Sequence, residues 1–128
     1  MNDKNKNAID NKIYRNIEEF YPFYLSQHAN NMTRLLHYIG STGSIVNLVY
    51  GFYLMSLQNI LLSFIIGYAF AWIGHFFFER NKPATFKYPL MSFICDFIML
   101  SSFIRGKINK DLRRFGIKNI KYLPINFI

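Results

Sequence analysis

Charge is scarce along this chain of 128 residues, and acidic charge is scarcer still, with 7 Asp and Glu against 15 Lys and Arg. Cysteine is nearly absent. Cys95 stands alone inside an apolar run, which excludes an intrachain disulfide, argues against a thiolate metal site and makes its side chain a small core residue. Histidine occurs only at His28, His37 and His75, too few for the histidine boxes of membrane di-iron hydroxylases and desaturases. The sequence has no nucleophile elbow, no glycine-rich phosphate loop and no H-E-x-x-H helix. Basic and aromatic residues do not interleave in a recognisable binding motif, so the net charge of +8 does not point to nucleic acid.

What the chain has in quantity is apolar and aromatic surface: 52% hydrophobic residues and 19% aromatic, with 14 Phe and 9 Tyr. At this length one domain is expected, and this composition describes a membrane protein. The basic residues flank apolar runs, and from Arg105 onward seven Lys and Arg face Asp111 alone. Such clusters mark the cytoplasmic side and contact anionic headgroups.

Residues 1–11 read as a disordered polar tail without the apolar stretch of a signal peptide. Over residues 12–27, Ile13, Ile17, Phe20, Phe23 and Tyr24 recur at helical spacing, predicting an amphipathic helix that Pro22 should kink or split. Asn30 or Asn31 is a good N-cap for a helix opening near Met32. Residues 36–57 form a plausible span softened by Gly40, Ser41, Thr42, Gly43, Ser44 and Asn47, small residues that let helices approach and an amide that must face protein. Residues 60–78 make a stronger span, 19 residues without formal charge. Gln58 and Asn59 separate the two runs, predicting a transmembrane helical hairpin. The third apolar run, 88–104, carries Asp96 at its centre. A full third crossing would put the basic tail outside, so two crossings and a third helix that penetrates are expected. A short basic helix over 108–115 should end at Gly116. The expected fold is all-α: one helical membrane domain over 12–117, with a C-terminal tail over 118–128.

His75 and Glu79 stand four apart where the second span ends, and Asn81, Lys82 and Pro83 stop that helix. In lipid such a pair needs a partner or a ligand. On one continuous helix His28 and His37 would point to opposite sides, but a break at the Asn pair lets His28 fold back. The hairpin brings the start of its first helix and the end of its second to one membrane face, so the three imidazoles can converge, with Glu79 nearby. This set, as three His or as two His and one carboxylate, suits iron(II) with positions left for oxygen and substrate; zinc is possible on the same ligands. Glu79 reads equally as an ion-pair partner of Arg34, Arg80 or Lys82. Asp96 is a candidate to orient an imidazole, and reads equally as a counter-ion to a basic residue. Arg34, Asn81 and Lys82 are candidates to receive a substrate carboxylate at headgroup level.

The segments FYPFYLSQHANNMTRLLHYIGS at 20–41, YAFAWIGHFFFERNKPATFKYPLMSFICDFIM at 68–99 and RGKINKDLRRFGI at 105–117 carry a resemblance. With a His-x8-His segment followed by W-x-x-H-F-x-x-E-x-N-x-P-A, the chain resembles a small integral membrane family whose fungal member is a 2-hydroxy fatty acid dioxygenase of the endoplasmic reticulum. The resemblance implies iron(II)-dependent α-oxidation, in which a 2-hydroxy fatty acid and O2 give a fatty acid one carbon shorter. It implies His28, His37 and His75 as iron ligands, and it matches Glu79 and Asn81 to the family's adjacent polar positions. A multi-pass protein of a bacterial inner membrane or the endoplasmic reticulum, in contact with membrane lipid, is expected. Two rivals predict different observables: a small cytochrome with two axial histidines would absorb strongly in the visible, and a lipid-binding or scaffold protein would lose stability rather than metal when its histidines are replaced.

Overall fold

The computed structural model describes residues 12–121; the tail expected at 1–11 and the last seven positions of the C-terminal tail lie outside the described residues. The fold is all-helical. Helix α1 spans Ile17–Ser26, α2 Asn31–Tyr53, and α3 Leu57–Ile73, which continues into a π-helical turn over Gly74–Glu79. A 3-10 turn at Ala84–Phe86 leads to α4, Pro89–Ile104, and then to α5, Ile108–Arg114.

Capping chemistry sets the boundaries. Asn16 accepts from the Glu19 N–H at the start of α1, and Asn30 accepts from the Met32 N–H at the start of α2. Helix α1 runs through Pro22 as one helix rather than splitting. The α2–α3 turn is not at Gln58 and Asn59, which lie inside α3. It is formed by Leu54, Met55 with φ of 52°, and Ser56, whose hydroxyl caps α3 by accepting from the Asn59 N–H. A serine cap satisfies an orphan helix donor, and that outweighs the polarity of the two amides that follow it. Gly116, with φ of 66°, closes α5 as expected, while the Ile117 N–H reaches back to the Leu112 carbonyl at 2.8 Å.

Helices α2 and α3 pack closely with their contacts in opposite order: a Cβ on Gly40 would lie 2.8 Å from Phe70 Cβ, and one on Gly51 would lie 3.0 Å from Ile60 N. Asn47 faces protein, donating to the Asn59 carbonyl at 2.7 Å and to Ser63 Oγ at 3.0 Å. The buried apolar core lies elsewhere. Phe20, Tyr24 and Leu25 of α1 pack with Cys95 and Met99 of α4 and Leu112 of α5. Along Leu57–Ile73 only Ser63 is buried, and Val46, Val49, Phe52, Leu57, Leu61 and Ile65 are exposed.

Among the described residues, Leu57–Glu79 is the one helix long and apolar enough to cross a bilayer. Helix α4 qualifies only together with α5, from which it is bent by 117°. The glycines, hydroxyls and Asn47 that let α2 approach its neighbour also dilute its apolar character.

Candidate metal centre

Three different backbone devices deliver the histidines to one point. His28 follows the C-cap of α1, where its N–H bonds the Leu25 carbonyl at 2.9 Å and its ring stacks on Tyr24 with centroids 4.2 Å apart. His37 sits on the second turn of α2. His75 is carried by the π-helical turn, a widened turn of a kind frequent at functional sites. That turn is closed by the Asn81 N–H on the His75 carbonyl at 3.0 Å and by Arg80 in the left-handed conformation, φ 57°. Gly74 lets it approach α2: a Cβ there would meet Thr33 Cγ2 at 3.1 Å and Thr33 Cα at 3.3 Å.

All three rings are buried. His37 Nε2 lies 3.2 Å from His28 Nε2 and 3.2 Å from His75 Nε2, and one ligand nitrogen from each ring falls within 4.8 Å of the others. Each Nδ1 is engaged with an oxygen: His28 with the Tyr24 carbonyl at 2.6 Å, His37 with Asp96 Oδ1 at 2.8 Å, and His75 with Asn81 Oδ1 at 2.7 Å. The Asn81 orientation is fixed because its Nδ2 donates to the Gln27 carbonyl at 3.0 Å. A carbonyl, a carboxylate and an amide oxygen all require a proton on Nδ1. With a proton on each Nδ1, the three Nε2 atoms face one another, and their lone pairs repel unless a metal ion or a proton sits among them. Burial, followed by the neighbouring His37 and His75, holds His28 well below the ordinary imidazole value, keeping it neutral.

The surroundings support these orientations. Asp96 Oδ1 also accepts from the Tyr24 hydroxyl at 2.9 Å, and Oδ2 from the Ser41 hydroxyl at 2.5 Å. Burial and the Asp96 charge raise the Tyr24 phenol, so it stays a donor. The donor set fits a borderline divalent ion such as iron(II) or zinc, and the carboxylate–histidine pair is a familiar way to fix a ligating imidazole.

The other residues marked in the sequence fall into separate places. The Glu79 carboxylate accepts from the Asn30 backbone N–H, at the entry to α2. The Arg34 guanidinium is buried and donates to the His28 carbonyl at 2.8 Å, the Ala29 carbonyl at 2.9 Å and Asn119 Oδ1 at 2.7 Å. Lys82 is exposed. Tyr24 and Ser41 were not marked from the sequence, although Ser41 is four residues beyond His37 on the same helical face. The described part of the C-terminal tail is tied to this region, with the Ile120 N–H on the Ala29 carbonyl and the Asn31 N–H on the Ile120 carbonyl, both at 2.9 Å.

A cavity of about 110 Å³ opens beside the rings between α2, α3 and α4. His37, His75 and Asp96 line it together with Trp72, Tyr68 and Phe64 of α3. From His75 to Phe64 the helix advances roughly 16 Å at the usual rise.

Compared with known protein families, residues 14–108 match the one described as Mpo1-like, 2-hydroxy-palmitic acid dioxygenase Mpo1-like. No curated protein and no solved structure matches the chain.

Proposed function

The chain belongs to the Mpo1-like family, and from that premise we propose that it is an iron(II)-dependent dioxygenase that shortens 2-hydroxy fatty acids by one carbon. The observation that carries the reading is the convergence of three Nε2 atoms whose rings each have Nδ1 bonded to an oxygen. His28, His37 and His75 hold the metal. Bound there, iron(II) would supply a template for oxygen and substrate and the electrons that let oxygen react with a closed-shell acid. One 2-hydroxy acid and one O2 balance against the shortened acid, carbon dioxide and water, so no further reductant is needed.

The protein's own groups do the rest. Asp96 accepts a hydrogen bond from His37 Nδ1–H and thereby makes that ring a stronger donor, while Tyr24 and Ser41 hold the carboxylate still. Asn81 and the Tyr24 carbonyl do the same for His75 and His28. Glu79 fixes the backbone at Asn30, two residues beyond His28. The cavity leads away from the rings along Trp72, Tyr68 and Phe64, an apolar path suited to an acyl chain. The edge-to-face rings, with Nε2 atoms 3.2 Å apart, leave no gap for a porphyrin between two axial imidazoles.

The apolar surface supports a membrane location for this chemistry. A helix as apolar as α3 with almost none of its length buried, beside exposed Val46, Val49 and Phe52 of α2, would be an aggregation surface in water. We read α2 and α3 as a hairpin through the bilayer, α4 as leaning into it, and the basic α5 as lying against anionic headgroups on the side of the histidines.

The test is metal content and turnover of detergent-purified protein reconstituted anaerobically with iron(II), for wild type beside H75A. Near-stoichiometric iron and conversion of 2-hydroxypalmitate to an acid one carbon shorter, both lost in H75A, are expected. A folded wild type without metal or turnover overturns the reading.

A further inference from the structure

The cavity beside the histidines carries a buried hydroxyl with nothing to bind. Ser92, one helical turn before Asp96 on α4, is 3% exposed, and its Oγ has no hydrogen-bond partner. It lines the same cavity as His37 and His75. Of the other polar groups on that wall, Ser41 donates to Asp96, Ser44 donates to the Ser63 carbonyl at 2.8 Å, and Asp96 receives Tyr24 and His37. A helical serine can escape isolation by bonding the carbonyl four residues back, but here the Tyr88 carbonyl takes only the Ser92 N–H, at 2.9 Å. An unpaired buried hydroxyl is destabilising, and one on a residue in the wall of a cavity can be completed by a ligand oxygen.

Two features narrow the chemistry of that oxygen. No Lys or Arg lines the cavity, so nothing there pairs with the carboxylate of the acid, which leaves Ser92 a neutral oxygen of the ligand. A serine hydroxyl both donates and accepts, as does a hydroxyl on a ligand. We propose that Ser92 is the specificity residue for the 2-hydroxyl of the substrate, exchanging a hydrogen bond with it while the acyl chain lies against Trp72, Tyr68 and Phe64. The identity of the substrate rests on the dioxygenase reading above; the contact rests on the position of Ser92. A site that pairs a buried hydroxyl with a ligand hydroxyl rejects the analogue lacking it, because the protein group is then left orphaned. The discrimination expected from one such bond is roughly tenfold.

Trp72 is the single tryptophan of the chain and lines this cavity, so its fluorescence reports binding without turnover. Iron-loaded protein in nanodiscs, kept anaerobic, is titrated with 2-hydroxypalmitate and with palmitate, for wild type, S92A and S92T. Wild type is expected to bind the hydroxy acid about tenfold more tightly than palmitate. S92A is expected to lose that preference by weakening the hydroxy acid alone, and S92T to keep it. Because Ala removes an unpaired buried hydroxyl, S92A should fold at least as stably as wild type; if it nonetheless loses iron, the isosteric and poorly donating S92C repeats the comparison. Equal weakening of both acids, or an unchanged preference in S92A, overturns the proposal. Turnover measured in the same preparations after admitting oxygen separates the two ideas. A wild type that distinguishes the acids but forms no shortened product overturns the dioxygenase reading and leaves the Ser92 contact standing. A wild type that shortens the acid while S92A keeps its full preference overturns the Ser92 role alone.

Discussion

Replacing one Asp96 oxygen by an amide nitrogen, in D96N, changes little in shape but removes the charge that three donors share: the Tyr24 hydroxyl, the Ser41 hydroxyl and His37 Nδ1. Asn can still accept with one oxygen but must donate with its nitrogen, toward groups that are themselves donors. D96N is therefore expected to fold and to bind iron roughly 10- to 100-fold more weakly, the usual effect of losing a group that orients a metal-binding imidazole. Iron titration beside a circular dichroism spectrum checks it. The histidines were legible in the sequence because a chain with so few of them puts each at the end of an apolar run, and Asp96 was legible as a charge in a run that tolerates none. Tyr24 and Ser41 were not, since a tyrosine or serine on a helix has many bland uses and only the tertiary contact reveals this one. The roles of Arg34 and Glu79 were hidden for a related reason: each binds backbone groups of the 28–30 loop, and backbone partners leave no trace in residue identity.

The π-helical turn is where an element's local geometry sets the position of the His75 ring. Gly74 is its first residue, and a Cβ there would press on the Thr33 backbone and methyl at 3.1–3.4 Å. Gly74→Ala should push the turn away from α2, costing about 1–3 kcal/mol of stability and lowering iron occupancy more than helix content. Metal analysis and far-ultraviolet circular dichroism on one sample distinguish the two losses. Apolar periodicity in the sequence gave the existence and order of the helices, and the Asn30 cap gave the start of α2. It did not give the widened turn, because an apolar run looks the same whether its hydrogen bonds close on the fourth or the fifth residue. The α2–α3 turn was misplaced by a few residues for a comparable reason: Gln58 and Asn59 are the most polar residues between the runs, while the actual turn depends on Met55 entering the left-handed region and on Ser56 as a cap.

Taken whole, the molecule buries its apolar core and its histidines at one end and exposes apolar helix at the other. The fold of the metal-free protein should therefore answer to acid. His28 is held well below its unfolded value of 6.5 by burial and its two neighbours, so the unfolded chain binds a proton that the folded chain refuses. The stability this contributes is present above pH 6.5 and is lost as pH falls toward the lower folded value. Denaturant midpoints of the metal-free protein should fall between pH 7 and pH 5, and less steeply in H28Q. The same end of the molecule is fastened by the pairing of Ala29 and Asn31 with Ile120 and of Arg34 with Asn119. That fastening sets an order on biogenesis. On the membrane reading, α3 would enter the bilayer while synthesis continues, but the loop bearing His28 must wait some ninety codons for Ile120, the residue it pairs with. Closure of the loop that carries His28 would thus come late, separated in time from insertion on the membrane reading proposed above, and a nascent chain stalled before Ile120 would lack that fastening.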